Sequence, residues 1–559
     1  MADQGGLVYL ALGGAGEIGM NCYMYGIGEG ASRRWIIVDL GIGFGDMETA
    51  PGVELVLPDI DFAIAERERI EAIFLTHGHE DHVGAIAHLY EKLRVPIYAR
   101  AFTAEIVRRK LDEAGHDSTV VRQTTLGGAV QTGPFTVEFL AITHSIPEAS
   151  SLVIRTDLGT IVHTGDFKLD RTPTMGAPVD LEPFRKLGNE GVLALACDST
   201  NVFLAGRSAS ESVLVPNIER VIREAKGAVA ATTFASNVGR LQTLANAAQS
   251  QGRSIVVAGR AMRRMIEIAV ETGLLTEFPS VIPEEDAEAI PRENLFYLVT
   301  GSQGEGRAAL ARIAGGTHPT VTLREGDTVL FSSKTIPGNE AGIFRLYNRL
   351  SENGIAVIDS DMEHIHASGH ARRDDMAEIY ETLRPRVAVP MHGEHRHLVE
   401  HAKWAKRWGA EAALVAPNGT LVRLDGEQPG PVDHIETGRV YLDGTTPVGA
   451  LDGVIRERLK LARQGLVVAS VVIDDAGELV ADTDVRCFGA PKEGPGWTAP
   501  LDEMLGEAVD LAIEDAPAKT LRSDQSVEEL AGRAIRRGCM RLWGKRPIVS
   551  VIVTRLEDG

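Results

Sequence analysis

Up to residue 209 the chain reads as short apolar runs, each ending in a polar loop. Such runs at 7–12, 35–39, 72–76, 135–143, 152–156, 160–164 and 192–197 predict strands, and helical apolar spacing predicts helices at 83–93 and 103–114. Many strands with few helices point to layered sheets. From 210 the rhythm changes to strict alternation. Helices predicted at 213–226, 239–251, 261–272 and 340–353 separate strands at 229–234, 255–258, 295–300, 328–332 and 356–358. That alternation builds a parallel α/β unit. Between 361 and 440 the first texture returns, with a strand at 387–390 and a helix at 396–408. A block of different texture within a continuous one predicts an inserted domain, so 1–209 and 361–440 are the host and 210–360 the insert. A turn at 426–431 closes the host, and 441–464 reads as a linker. The segment 465–559 reads as a small α+β domain, with strands at 466–473 and 548–553 and helices at 504–513 and 527–542.

Composition narrows the class. No apolar run approaches the ~20 residues of a membrane helix, so no membrane partner is expected. The start, Met1 to Gly6, carries neither the basic nor the apolar segment of a secretory signal. Cys22, Cys197, Cys487 and Cys539 lie far apart with no CxxC pair. A disulfide framework and a thiolate zinc site are both disfavoured, and a cytoplasmic protein is expected. The 57 Lys+Arg against 78 Asp+Glu give a net charge of −21. That balance opposes broad phosphate binding, leaving a nucleic acid only a narrow positive cleft.

The densest chemistry is Thr76-His77-Gly78-His79-Glu80-Asp81-His82, directly after the strand at 72–76. His77 and His79 leave one face of an extended segment, while Asp81 and His82 turn the other way as a helix begins. One short loop can therefore feed two adjacent cations; a solvated polar loop or a single structural ion is the blander reading. Further donors stand at equivalent places. His144, Asp166 and His392 each follow a short apolar run, so each would project from the same end of a sheet as His77. The set contains His and Asp but no Cys, which suits Zn²⁺ and tolerates Mn²⁺. Two such cations, about 3.5–4 Å apart, would hold a hydroxide and stabilise a phosphoryl or acyl transition state.

These motifs carry a resemblance. His77-x-His79-x-Asp81-His82, His144 and Asp166 resemble the metallo-β-lactamase superfamily, and the insert resembles the β-CASP module of its nucleic-acid-processing members. Asp198 in Asp198-Ser199-Thr200-Asn201, His370 in Ser368-Gly369-His370-Ala371, and His392 match that subgroup. Gly13 to Gly19, Thr233 to Asn237, Thr300 to Glu305 and Ile336-Pro337-Gly338-Asn339-Glu340 narrow the resemblance to the bacterial ribonuclease J family. It covers most of the chain to about 450 and is weaker beyond. Two features depart from the pattern: Met20 stands where a basic residue is expected, and the loop at 45–54 looks rebuilt. The second departure leaves open an accessory Ca²⁺ site using Asp46, Glu48 or Asp443.

The resemblance implies an α/β fold: a metallo-β-lactamase αββα sandwich, the inserted parallel α/β domain, and a small α+β C-terminal domain. It implies two Zn²⁺ per chain (Mn²⁺ as the substitute), with His77, His79 and His144 on one, Asp81, His82 and His392 on the other, and Asp166 bridging. It implies catalytic roles for His370, Asp198 and Asp81: His370 steadies or protonates the departing oxygen and Asp198 orients from behind. It makes His364, His366, Ala367, Ser368, Gly369 and His370 a substrate-binding loop, with Ser236 and Asn237 opposite. It implies a ribonuclease with 5′-to-3′ exonuclease activity on 5′-monophosphate RNA and some endonuclease activity, acting in RNA maturation and decay. Single-stranded RNA is the expected partner, and the tail is a candidate element for a homodimer or homotetramer. From the residues alone, Arg240, Arg260, Arg263 and Arg264 are candidates to track the RNA backbone or to lie on a solvated helix face, and Phe44 reads as ordinary loop packing, with stacking on a base as the alternative. Two other classes compete. A small-molecule metallo-hydrolase would not need the insert, His370 or Ser236-Asn237, and a non-enzymatic scaffold would not need the full donor set.

Overall fold

The computed structural model describes residues 6–46, 48–336 and 338–556. The sequence readings that touch 1–5 and Pro337 lie outside them. Among the described residues, two large sheets face each other. The first runs Gly430–His434, Thr420–Arg423, Gly6–Gly13, Cys22–Gly28, Arg34–Val38, Ile70–Phe74, Ile97–Ala99 and Val121–Gln123. The second runs Ala129–Thr132, Phe135–Ala141, Ser150–Thr156, Gly159–His163, Ala194–Asp198, Val387–Met391 and Ala412–Ala413. One apolar cluster joins them, with Tyr9, Tyr25 and Phe74 from the first sheet meeting Phe135, Phe139 and Ile154 from the second. The outer face of the second sheet is covered by Phe184 and Leu187 of the helix Glu182–Glu190 and by Met376 and Ile379 of the helix Arg373–Leu383.

Strand direction places the chemistry. Gly159–His163, Ala194–Asp198 and Val387–Met391 are mutually parallel, and Phe135–Ala141 runs the same way because two antiparallel pairings separate it from Gly159–His163. The loops that follow all four strands therefore emerge at one end, where ligands of open α/β sheets collect. His144, Asp166, Asp198 and His392 stand in or beside those loops.

The insert is a five-stranded, wholly parallel sheet in the order Ser254–Ala258, Leu295–Val299, Val229–Thr232, Thr328–Phe331, Ala356–Ile358. Four of its strands are almost continuously buried, as a parallel sheet covered by helices on both faces requires, while the edge strand Ala356–Ile358 is partly exposed. By internal contacts the chain divides into two compact units: 1–43 with 56–440, and 44–55 with 441–559. In the second unit the strands Leu479–Phe488, Leu466–Asp474 and Ile548–Leu556 form a sheet whose buried face packs on the helices Leu501–Glu514 and Asp524–Leu542. The segment read as a linker holds a helix, Val454–Gln464, bounded by Gly453 and Gly465 with left-handed φ of 86° and 76°. The turn read at 426–431 runs into the strand Gly430–His434, which pairs with Thr420–Arg423.

Candidate metal centre

The loop after Ile70–Phe74 is held by a residue far away in sequence. Asp39, fully buried, accepts from Thr76 N–H (2.8 Å), Thr76 Oγ1 (2.8 Å) and His82 Nδ1 (2.7 Å). Asn21 Nδ2 donates to the Asp81 carbonyl at 3.0 Å, and Tyr23 OH donates to Asn21 Oδ1 at 2.6 Å. The backbone at Gly41 passes so close that a Cβ there would lie 1.7 Å from the Asp81 carbonyl oxygen, so only glycine fits.

Three groups of His and Asp atoms converge among the described residues, and Asp166 belongs to all of them: His77, His79, His144, Asp166; Asp81, His82, Asp166, His392; and Asp166, Asp198, His370, His392. Asp166 Oδ2 lies 3.9 Å from His77 Nε2, 3.8 Å from His144 Nε2, 3.2 Å from His82 Nε2 and 3.6 Å from His392 Nε2. His79 enters through Nδ1, 3.1 Å from His77 Nε2 and 3.2 Å from His144 Nε2. Asp81 Oδ2 lies 3.2 Å from His392 Nε2 and 3.7 Å from His82 Nε2.

Imidazoles that hold a cation need their other nitrogen fixed. His144 Nδ1 donates to the Gly369 carbonyl at 2.6 Å, and His392 Nδ1 to Thr200 Oγ1 at 2.8 Å. His77 Nδ1 donates to Thr76 Oγ1 at 3.0 Å. Burial, followed by the neighbouring imidazoles, holds His77 and His144 well below the usual histidine range. Burial also takes His79 down to about 4. These three rings are neutral donors at physiological pH. The second group behaves oppositely. Burial would lower His82, but Asp166, Asp81 and Asp39 raise it well above its ordinary value. Burial would raise Asp166, but His392, His82 and His370 hold it well below the carboxylate range. Two carboxylates that attract protons to facing imidazoles attract a divalent cation in the same place. Asp166 Oδ1 is buried without a hydrogen-bond partner, as expected of an oxygen kept for a cation. The residues fit two divalent ions.

The third group pairs a histidine with a buried carboxylate. His370 Nδ1 donates to Asp198 Oδ2 at 2.8 Å, while Asp198 Oδ1 accepts from Thr200 N–H (2.9 Å) and Oγ1 (2.7 Å). Burial opposes charging His370, yet Asp198 and Asp166 prevail and lift it to about 9. Asn201 and Ser208 fix its loop by donating to the His370 carbonyl at 3.0 and 2.8 Å, and Asn201 also donates to Ser368 Oγ at 2.9 Å.

Gly369 passes directly over His144. A Cβ there would lie 2.7 and 2.8 Å from the His144 ring and 2.6 Å from Ser145 Oγ, closer than real contacts allow. Gly369→Ala is therefore expected to tilt His144 and weaken metal binding about 10- to 100-fold, a loss read by metal titration.

The structure places the other residues named from the sequence as follows. Asn237 caps the helix Val238–Ser250 by accepting from Arg240 N–H at 3.0 Å, and Ser236 precedes it, half-buried. His364 is exposed, Ala367 is buried, and burial followed by Arg240 takes His366 down to about 3. Arg240 does not track RNA: it is fully buried on Glu211, 2.6 Å away. Arg263 is ion-paired with Glu284 and Arg264 with Glu113, while Arg260 is exposed. Met20, where a basic residue was expected, is buried at a φ of 56°. Of the residues considered for an accessory Ca²⁺, Asp443 is ion-paired with Arg458 and Asp46 accepts from the backbone of Glu48 and Thr49; Phe44, the stacking candidate, is exposed. Asp39, Asn21 and Thr200 are the residues sequence reasoning missed; only the buried acid closing the run at 35–39 offered a hint.

Family comparisons agree with this geometry. Residues 16–202 match the Metallo-beta-lactamase superfamily, and 226–350 match the family described as Ribonuclease J, beta-CASP domain. Residues 355–415 match the Zn-dependent metallo-hydrolase RNA specificity domain, and 453–556 the Ribonuclease J C-terminal domain. A Ribonuclease J of Sinorhizobium meliloti is 41% identical over 100% of this chain and 98% of its own length. One of Mycobacterium tuberculosis is 38% identical over 95% and 94%. A crystal structure of a protein of unknown function from Enterococcus faecalis V583 has a TM-score of 0.51 at 17% identity, over 75% of this chain and 100% of that one, a likeness of fold.

Proposed function

Because this chain belongs to the ribonuclease J family and is a metal-dependent ribonuclease, we propose that it removes nucleotides from single-stranded RNA in the 5′-to-3′ direction, favours a 5′-monophosphate end, and also cuts internally. The observation that carries this reading is the loop at 364–370. It delivers a protonated His370 to the Asp166 cluster and, through Gly369, lies against His144. A small-substrate hydrolase has no use for such a loop backed by an inserted domain.

When bound, two Zn²⁺ or Mn²⁺ ions supply a hydroxide at neutral pH and offset charge on the phosphoryl oxygens. His77, His79 and His144 would hold one ion, Asp81, His82 and His392 the other, and Asp166 both. The protein's own part is orientation and proton transfer. Asp198, itself fixed by Thr200, holds His370 by Nδ1, so Nε2 is the nitrogen that gives its proton to the departing oxygen. Ser236, Asn237 and the 364–370 loop would line the path of the strand. We assign the activity to RNA maturation and decay in the cytoplasm, in keeping with four free cysteines. Self-association as a dimer or tetramer would use the C-terminal sheet, whose edge strand Ile548–Leu556 exposes Ile552 and Leu556.

The test is digestion of one RNA bearing a 5′-monophosphate, a 5′-triphosphate or a 5′-hydroxyl. A monophosphate offers about two charges and three acceptor oxygens to a pocket of fixed size. A triphosphate overfills it, and a hydroxyl leaves donors unpaired at ~1–3 kcal/mol. Fast single-nucleotide release from the monophosphate alone is expected, with internal cuts indifferent to the end. Equal release from all three ends would dismiss the pocket.

A further inference from the structure

Behind the metal centre lies a second polar cluster that the chemistry above does not use. Lys168, Asp170, Glu211 and Arg240 are only 1%, 1%, 7% and 0% exposed. Charges this far from water persist only when each is paired and hydrogen-bonded. Lys168 Nζ lies 3.1 Å from Asp170 Oδ2 and 3.2 Å from Glu211 Oε1. The other Glu211 oxygen accepts from Arg240 Nε at 2.9 Å and Nη2 at 2.6 Å. Arg240 Nη1 then donates to the Ser332 carbonyl (3.1 Å), Ser332 Oγ (2.8 Å) and the Ile365 carbonyl (3.1 Å).

The two ends of this chain of contacts are what matter. Lys168 stands two residues after Asp166, and its N–H donates to the Thr143 carbonyl at 2.8 Å, next to His144. Thr143 Oγ1 returns a bond to the Lys168 carbonyl at 2.5 Å, so the two donor-bearing segments are locked to each other. At the far end, Arg240 N–H donates to Asn237 Oδ1 at 3.0 Å, and Ile365 leads into the loop that carries Gly369 and His370. Glu211 sits between, on the turn Glu211–Leu214 where the chain passes into the insert.

We propose that Lys168, Glu211 and Arg240 form a positioning relay that registers the segments at 236–237 and 364–370 against Asp166, so that a bound RNA diester meets the reacting centre. Arg240 is a positioning residue here and makes no contact with RNA. The planar guanidinium is essential to the role, because one rigid fork engages Glu211 while its third nitrogen reaches Ser332 and Ile365; an ammonium cannot do both. The proposal rests on the ribonuclease reading above.

The test compares the metal-loaded full chain with Arg240→Lys and with the double variant Arg240→Leu/Glu211→Met. Two substrates are used: 5′-monophosphate single-stranded RNA, and bis(p-nitrophenyl) phosphate, a diester too small to need the relay. The first variant keeps the charge and loses the fork. The second removes a balanced pair, leaves Lys168 with Asp170, and guards against a misfolded first variant, since apolar replacement of buried pairs is often tolerated. Both should retain metal and small-diester hydrolysis while kcat/KM on RNA falls about 10²-fold, chiefly in kcat, as displacement of roughly an ångström produces. Parallel losses on both substrates, wild-type turnover of RNA by a folded variant, or failure of both variants to fold would each overturn the relay. A wild-type chain that hydrolyses the diester but not RNA would instead overturn the ribonuclease reading.

Discussion

Asp166→Ala is expected to abolish RNA hydrolysis and to release metal from both positions. The reason is geometric: Oδ2 of this one carboxylate faces imidazoles of both groups, and the three convergent groups share no other residue. Its removal leaves His77, His79 and His144 as a neutral trio without a negative ligand, and leaves Asp81 alone to balance the other ion. It also withdraws an attraction that raises His82, His370 and His392. Elemental analysis of the purified variant beside the wild type decides the matter, with RNA hydrolysis assayed on the same samples. Two ions per chain retained by the variant would remove Asp166 from the bridging position.

His370→Ala should give a different signature: an intact metal centre with turnover lower by about 10²–10⁴-fold, the usual worth of a positioned general acid. Asp198 and Asp166 hold the ring protonated up to about pH 9, against the effect of burial. A group needed as an acid is active below its pKa and is lost as pH rises through it. Wild-type kcat should therefore fall on the alkaline side, at or below pH 9 because bound cations weaken the pull of Asp166. In the variant that limb should vanish while RNA affinity and metal content stay near wild type. Normal turnover by His370→Ala would make the residue structural.

The sequence was most legible where chemistry follows a strand directly. The run Thr76 to His82, and the single donors His144, Asp166 and His392, could each be placed at a strand end from local pattern alone, and the structure brings them within a few ångströms. The supporting contacts were not legible, because they join distant segments: Asp39 to His82 spans 43 residues and Thr200 to His392 spans 192. Arg240 shows the limit most clearly. On a helix in sequence it reads as a solvated cation, yet Glu211 and Ile365 close over it in the fold. Several strands were also missed, among them Ile97–Ala99, Val121–Gln123, Ala129–Thr132 and two longer ones. Cys22–Gly28 is buried over its first five residues and so lacks alternation, whereas Leu479–Phe488 presents Asp482, Asp484 and Arg486 outward and buries only Thr483 and Val485 between them.

Stepwise return of metal to the stripped protein tests the centre most directly. Chelator-treated full-length chain should be inactive on 5′-monophosphate RNA, and hydrolysis should return as Zn²⁺ or Mn²⁺ is added, saturating at two equivalents per chain. Hydrolysis by the metal-free chain, or full activity at a single equivalent, would contradict a two-ion centre bridged by Asp166.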